Sequence, residues 1–139
     1  KLDWFKALNT TIAGDLAQYP ELPLAYIGDY NIAPTDADVW DIEKFVDSTH
    51  VTAAERAALT DIQELGLTEV MPRSLKGEPY TFWDYRNGSF HRGWGMRIDL
   101  VYANQAFTSL VSDAYVDRDA RKGKGASDHA PVVVDLDLP

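Results

Sequence analysis

The 139-residue sequence contains no cysteine and only two methionines. The absence of cysteine excludes a disulfide framework and any thiolate metal or redox chemistry. No apolar run approaches the ~20 residues that a membrane-spanning helix needs, and no basic, apolar signal segment opens the chain. We therefore expect no membrane partner and a cytoplasmic location.

Basic residues are also scarce relative to acidic ones, and the formal net charge is −9. This argues against a general nucleic-acid-binding surface, because lysine and arginine provide most of the affinity for phosphates. The charge is unevenly distributed, however, since nine basic and six acidic residues lie between Arg73 and Lys124. That asymmetry is compatible with a basic contact face on an acidic body, and equally with a solvated mixed surface.

What is present suits a single folded domain over residues 1–139. Hydrophobic residues make up 45% of the chain and aromatic residues 12%, which is enough for a core. The pattern predicts α/β order, with an amphipathic helix over residues 3–18 and a second helix that begins at a Thr52/Glu55 capping box and ends at Gly66. Strands are predicted at 24–28, 67–70, 80–85, 98–103, 111–116 and 131–138, an exposed loop at 86–95 and a flexible basic loop at 120–126.

The first polar motif, Gly28-Asp29-Tyr30-Asn31, follows the strand at 24–28. Alternate residues of an extended segment share one side, so the Asp29 carboxylate and the Asn31 carboxamide are expected to lie together. Such a pair can deprotonate and orient an attacking water in a hydrolase. The alternative is an Asx-turn that only caps the strand.

Two later motifs supply the remaining polar groups. Asp99 opens an apolar strand, where an unpaired carboxylate is costly, and His129 lies beside Asp128 in Ser-Asp-His-Ala-Pro. A hydrogen bond between Asp99 and His129 would satisfy the carboxylate and fix the imidazole tautomer. The motifs together suit phosphodiester hydrolysis, and a purely structural Asp–His pair remains the alternative.

These residues resemble the C-terminal half of the exonuclease III type of apurinic/apyrimidinic endonucleases, within the endonuclease/exonuclease/phosphatase superfamily. The resemblance is carried in order by Ile27 to Pro34 (IGDYNIAP), Asp38 to Trp40 (DVW), Ser48 to Arg56 (STHVTAAER), Tyr80 to Arg86 (YTFWDYR), Gly95 to Leu100 (GMRIDL) and Ser127 to Pro131 (SDHAP). The WDYR and GMRIDL segments are selective for the DNA-repair branch.

The resemblance implies roles for individual residues. It implies that Asp29 and Asn31 activate and position the water, that Asp99 partners the histidine, and that His129 stabilises the pentacovalent phosphate. It implies that Asp128 is either a metal-site carboxylate or an aid to the leaving group. It further implies DNA contacts, with apolar side chains walling a pocket for an extruded abasic sugar and arginines contacting phosphates or the minor groove. The apolar residues are Phe82, Trp83, Met96 and Ile98, and the arginines are Arg86, Arg92 and Arg97. Aromatic residues at such spacings are more often core, which is the competing interpretation.

The resemblance also implies an incomplete site. Relatives are about twice as long, so the expected fold is half of a four-layer α/β sandwich, with one mixed, mainly antiparallel sheet and helices on one face. The missing N-terminal half would supply further ligands for Mg²⁺ or Mn²⁺. We expect the parent to be a 3′-5′ exodeoxyribonuclease and abasic-site endonuclease that acts on duplex DNA with an abasic site or a 3′ end. The isolated chain is expected to be inactive or nearly so. Its exposed sheet face is expected to cause self-association, disorder or binding of a partner chain.

Two other functions are compatible with the residues. The chain can be a non-catalytic structural or DNA-binding half-domain, which sequence upstream of Lys1 would distinguish. A superfamily phosphoesterase acting on phospholipids or inositol phosphates is less compatible with the Trp83-Asp84-Tyr85-Arg86 segment, and a substrate panel would separate the two.

Overall fold

Two long helices and a set of short strands, described over residues 1–139 in a computed structural model, confirm the α/β class. The helices are α1 (Leu2–Gln18), α2 (Ala53–Glu64), α3 (Ser89–Arg92) and α4 (Gln105–Thr108). The strands are β1 (Ala25–Asp29), β2 (Thr68–Glu69), β3 (Arg73–Ser74), β4 (Phe82–Trp83), β5 (Gly95–Met96), β6 (Asp99–Ala103), β7 (Val111–Val116) and β8 (Val132–Leu136). Short 3₁₀ helices occupy Asp36–Asp38, Ile42–Phe45, Arg86–Gly88 and Arg118–Arg121. None of the helices combines the length and apolarity needed to cross a bilayer.

The predicted capping box forms at the start of α2. The Thr52 side chain accepts a hydrogen bond from the Glu55 amide at 3.2 Å, and the Glu55 carboxylate accepts from the Thr52 amide at 3.2 Å. Because these bonds satisfy amide groups that the first helical turn leaves unpaired, they fix where α2 begins. The sequence could show this because all the partners are local.

Strand pairing is mixed and mainly antiparallel, as expected, but it is divided among three sheets. Strand β6 lies between β1 and β2, β7 lies between β3 and β8, and β4 pairs with β5. The β3–β7 pair alone is parallel. One extended stretch, residues 68–74, contributes β2 to the first sheet and β3 to the second. Pro72 lies between them and has no amide hydrogen for a ladder, which accounts for the interruption.

The main core lies between the first sheet and helices α1 and α2. Its buried side chains are Phe5, Ile12, Tyr30, Ile32, Ala58, Leu59, Ile62, Leu67, Leu100 and Tyr102. Along β6, Leu100 and Tyr102 point to the helices, so Asp99 and Val101 point to the opposite face by the two-residue period of a strand. The helices therefore do not cover the face that carries Asp99, where Val101 is instead buried in a second cluster with Val70, Ala103 and Ala114.

The expectation of an exposed loop at 86–95 and a flexible basic loop at 120–126 is wrong in part. Ser89 and Phe90 are buried in α3, and Phe90 packs edge-on against Trp83 with ring centroids 5.1 Å apart. Arg121 is also buried, at the end of a 3₁₀ helix. Sequence periodicity could not predict α3, because a helix of four residues is too short to show a repeat. The glycines at both ends of α3 also made the segment resemble a loop.

Candidate active site

Two carboxylates and one histidine meet at the end of the first sheet. Asp29 and Asp99 are direct cross-strand partners in the antiparallel ladder of β1 and β6, so their side chains share one face. Nδ1 of His129 lies 2.8 Å from Oδ2 of Asp99, and its Nε2 lies 3.8 Å from Oδ2 of Asp29. The predicted Asp99–His129 hydrogen bond is present in the structure.

The histidine orientation follows from the chemistry of its partner. An ionised carboxylate only accepts hydrogen bonds, so Nδ1 of His129 carries the proton that Asp99 accepts. In the neutral ring, Nε2 then has the free lone pair on the side of Asp29. The Phe82 ring tilts against the imidazole at a centroid distance of 5.1 Å, which further restricts ring rotation.

Asn31 lies next to Asp29 in a left-handed conformation, with φ at 52°. The Asp29 carboxylate accepts hydrogen bonds from the Asn31 amide at 2.8 Å and from its side-chain Nδ2 at 3.2 Å. The first is the Asx-turn geometry that asparagine and aspartate favour. The Asx-turn and the predicted pair of Asp29 and Asn31 are therefore the same feature. The turn sets the relative position of the two side chains.

Lys1 and His50, which the sequence did not indicate as site residues, both contact the backbone carbonyl of Asn31. This carbonyl oxygen lies 2.6 Å from the Lys1 ammonium, which donates to it, and 2.8 Å from Nδ1 of His50. Lys1 also pairs with Glu55 at 2.5 Å, which ties this turn to the start of α2. No local motif indicates such contacts between residues 19 to 54 positions apart.

Thr81 is a third residue that the sequence analysis missed. Its hydroxyl, fully buried, accepts hydrogen bonds from the amides of Ile98 and Asp99, each at 3.1 Å. Its carbonyl accepts from the amide of Ala130 at 2.8 Å. Thr81 thus joins the backbone that carries Asp99 to the backbone that carries His129.

The cluster of Asp29, Asp99 and His129 is a possible acidic metal site, because one ligand atom from each lies within 4.8 Å of the others. Carboxylate oxygens are the ligands that Mg²⁺ and Mn²⁺ prefer, so the pair of carboxylates fits a hard divalent cation. Asp128, the predicted metal ligand, is outside this cluster. Its carbonyl accepts from the Trp83 amide at 3.0 Å, and its half-buried carboxylate makes no hydrogen bond or ion pair within the chain.

The four apolar residues predicted to wall the sugar pocket differ in burial. Phe82 is half-buried beside His129, whereas Trp83, Met96 and Ile98 are buried. Met96 and Ile98 pack behind Phe82 in one cluster, and Trp83 belongs to a different cluster with Tyr80 and Phe90. Only Phe82 therefore borders the polar site directly.

The three arginines predicted to contact DNA differ in exposure and in their partners. Arg86 is exposed and forms a two-pronged pair with Asp84, and Arg92 is exposed with its guanidinium 4.5 Å from the centre of the Trp94 ring. Arg97 is 2% exposed and pairs with Asp38 at 2.7 Å and with Glu69. Burial alone would lower the pKa of Arg97, but its hydrogen bonds to these carboxylates raise it. The expected phosphate contact of Arg97 is therefore wrong for this structure, because the guanidinium is enclosed and already paired.

Beside the polar cluster, an apolar groove of about 580 Å³ is lined by residues of both the first sheet and β8. It is lined by Ile27, Gly28, Asp99, Leu100, Val101, Phe107, Ser127, His129, Ala130, Pro131, Val132 and Val134. Ile27 is 69% exposed, which is high for the middle of a strand. Exposed apolar patches of this kind commonly mark an interaction surface.

The chain is similar to known phosphoester-cleaving proteins. The pattern of the Endonuclease/Exonuclease/phosphatase family matches residues 3–129. An exodeoxyribonuclease of Streptococcus pneumoniae serotype 4 is 30% identical over 125 residues, which are 85% of this chain and 42% of that protein.

Solved structures agree with this sequence match. A variant of the 3′ phosphatase NExo from Neisseria, bound to a product DNA hairpin, superposes with a TM-score of 0.89 at 34% identity, covering 98% of this chain and 52% of that one. An AP endonuclease from Archaeoglobus fulgidus gives 0.85 at 30% identity, covering 99% and 53%. The chain therefore spans about half the length of the relatives it matches.

Proposed function

The chain belongs to the Endonuclease/Exonuclease/phosphatase family, and its relatives are exonucleases and AP endonucleases; from this premise we propose that it carries the histidine-bearing part of the active site of a DNA-repair phosphodiesterase. The proposed reactions are cleavage beside abasic sites and 3′-5′ removal of nucleotides from duplex DNA. The observation that carries the proposal is the convergence of Asp29, Asp99 and His129 at one sheet end.

Each residue at the site has a separate role in the proposed hydrolysis. Asp29, held by the Asn31 turn, accepts a proton from the attacking water, while the Asn31 carboxamide orients that water or a phosphate oxygen. His129, when protonated, donates from Nε2 to a phosphate oxygen and stabilises the charge that develops on the phosphorane. Asp99 does not touch the substrate; it keeps the ring oriented and balances its positive charge.

A divalent cation, which we propose to be Mg²⁺, would neutralise charge on the phosphate and the leaving oxygen. Asp128 is the proposed protein ligand because its carboxylate is uncommitted, whereas Asp29 and Asp99 are already hydrogen-bonded. Titration with Mn²⁺ tests this assignment through paramagnetic broadening of the His129 ring signals. Asp128→Asn should weaken binding strongly if it is the ligand, and Asp29→Asn should do so if the three-residue cluster binds the ion instead.

Phe82 provides a basis for selecting abasic sites. Its half-buried ring lies against His129, backed by Met96 and Ile98. An apolar wall next to the reacting phosphate suits a deoxyribose without a base, which also costs less to extrude than a paired nucleotide. Arg86 and Arg92 are the proposed phosphate or groove contacts, because both side chains are exposed.

The open groove is the proposed docking face for the other half of the catalytic unit. Its apolar lining lies beside His129 and Asp99, so a partner seated there would enclose the reacting groups and contribute ligands to them. Octahedral Mg²⁺ needs more ligands than Asp128 alone provides. Without that partner we propose that the chain is nearly inactive and self-associates through this face, which gel filtration would detect as concentration-dependent mass.

A cleavage panel tests the proposed function. The chain is assayed alone and mixed with the N-terminal half of the Neisseria relative, using abasic-site duplex, recessed 3′ ends and an inositol phosphate. Incision of DNA by the mixture in Mg²⁺, with little by either part alone, supports the proposal. Efficient incision by the chain alone contradicts the need for a second half. A mixture that forms a stable complex and cleaves no substrate supports a non-catalytic module instead.

A further inference from the structure

A buried arginine without an acidic partner lines a cavity whose wall contains none of the three cluster residues. Arg121 is 8% exposed, and no carboxylate lies within 4.0 Å of its guanidinium. Its Nη2 donates to the Trp83 carbonyl at 3.2 Å, and its Nε is buried without a hydrogen-bond partner. Buried charges in proteins are ordinarily paired, so this arrangement calls for a physical explanation.

Aromatic rings account for part of the stabilisation. The Arg121 guanidinium lies 5.1 Å from the centre of the Tyr85 ring and 5.0 Å from that of Phe90. Cation–π contacts of this kind stabilise a guanidinium without using its N–H donors. They therefore leave hydrogen-bonding capacity at Arg121 for another group.

Arg121 also lines a cavity of about 250 Å³. The cavity wall comprises Asp84, Tyr85, Gly88, Ser89, Phe90, His91, Arg121, Lys122 and Gly123. Glycines 88 and 123 have positive φ angles, 64° and 94°, which helps the backbone fold tightly around the space.

The other charges around the cavity are largely paired with each other. Asp84 accepts three hydrogen bonds from the Arg86 side chain, which with the Arg86 amide lower the pKa of Asp84 to about 2. Lys122 pairs with Asp119 at 2.6 Å. The unbalanced charge at this cavity is therefore the positive charge of Arg121, with His91 able to add to it on protonation.

We propose that this cavity binds a phosphate oxyanion, either free or within a nucleic acid chain, through the guanidinium of Arg121. The planar fork of arginine suits phosphate oxygens and forms charge-assisted hydrogen bonds with them. The cavity wall shares no residue with the His129 cluster, and binding there does not depend on hydrolysis. It would serve as a second phosphate contact on the same molecule.

The test follows the Nε–H resonance of Arg121 in ¹⁵N-labelled protein, assigned by its loss in Arg121→Lys. One titration uses inorganic phosphate, and the other uses an oligonucleotide without terminal phosphates, both against chloride at equal ionic strength. A saturable shift with inorganic phosphate supports binding of a free anion. A shift only with the oligonucleotide supports a phosphate of a nucleic acid chain. An unchanged Arg121 signal with both ligands overturns the proposal, without bearing on the cleavage panel.

Matched charge-removal variants separate a built site from general attraction. Arg121→Gln should weaken the affinity for the ligand that binds by about tenfold or more, as expected for lost hydrogen bonds to a charged group. Lys124→Gln removes the same charge from the same loop, outside the cavity wall, and should change affinity only slightly. Equal weakening by both variants overturns the proposal. If Arg121→Gln does not fold, the wild-type titration still decides.

Discussion

Asp29 and Asp99 are direct partners in the antiparallel ladder of β1 and β6, and both carboxylates lie on the sheet face that the helices leave open. Two carboxylates opposite each other repel, which is unfavourable for a sheet considered alone. His129 lies between them, bonded to Asp99 at 2.8 Å and 3.8 Å from Asp29. The ladder register therefore sets the geometry of the proposed active site.

The first prediction concerns the His129 tautomer. The neutral ring should carry its proton on Nδ1, because the Asp99 carboxylate accepts a hydrogen bond there. In Asp99→Asn the carboxamide can donate to Nδ1, so the share of the Nε2–H form should rise. Long-range ¹H–¹⁵N spectra of the chain at alkaline pH measure the two populations. Asp135→Asn, which changes an exposed residue of β8, is the control, and an unchanged tautomer in Asp99→Asn would contradict the assignment.

The second prediction concerns Thr81. Replacing it with valine keeps its shape but removes the acceptor of two amide hydrogen bonds, those of Ile98 and Asp99. Each buried amide left unpaired costs about 1 to 3 kcal/mol, so urea unfolding should show a loss in that range or above. Thr81→Ser retains the hydroxyl and should recover most of the loss. Equal destabilisation by serine and valine would show that the methyl group, and not the hydroxyl, matters.

The third prediction distinguishes two of the three arginines that are expected to bind DNA. Arg97→Ala leaves Asp38 buried without its cation, and breaking a buried pair in this way costs about 3 to 5 kcal/mol. Arg86→Ala removes an exposed pair and should hardly change unfolding. Its effect should appear as weaker DNA binding instead. Comparable stability of the two variants would contradict the structural role given to Arg97.

The fourth prediction is an acid sensitivity at the start of α2. Burial raises the pKa of Glu55, but hydrogen bonds from Lys1, Thr52, the His50 backbone and Thr49 outweigh it and bring the pKa to about 2. Because this lies below the ordinary value of 4.5, the carboxylate contributes fully above about pH 4.5, and its contribution falls away as the pH drops toward 2.

Urea unfolding between pH 7 and pH 2 measures this contribution. Glu55→Gln should be less stable than wild type at pH 7, by about 1 to 3 kcal/mol, and should lose less stability on acidification. Glu64→Gln, at the exposed end of the same helix, should follow wild type across the whole range. Parallel pH profiles for wild type and Glu55→Gln would refute the assignment.

Local signals made much of this structure predictable. The capping box placed α2 and periodicity placed α1, because both depend on neighbours within a few residues. The Asp99–His129 bond was predictable from the cost of a carboxylate at the start of an apolar strand. The resemblance to relatives aligned the remaining polar residues in order.

Contacts between residues that are distant in the sequence could not be predicted from local patterns. The burial of Arg97 depends on Asp38 and Glu69, which lie 59 and 28 positions away. Gly95 looked like a loop residue, yet a Cβ there would lie 2.5 Å from Nε1 of Trp83 and 2.6 Å from Cδ2 of Tyr80. Packing between β4 and β5 therefore requires a glycine at position 95, and no local pattern reveals this requirement.

The central claim is that Asp29, Asp99 and His129 perform phosphodiester hydrolysis once a second half completes the site. Single-turnover cleavage of an abasic-site duplex in Mg²⁺, by the chain combined with that half, tests it most directly with wild type and His129→Gln. We expect His129→Gln to lower the rate of the chemical step by about 10²-fold or more, with the complex still assembling and still binding DNA. A His129→Gln complex that cleaves at the wild-type rate would contradict it.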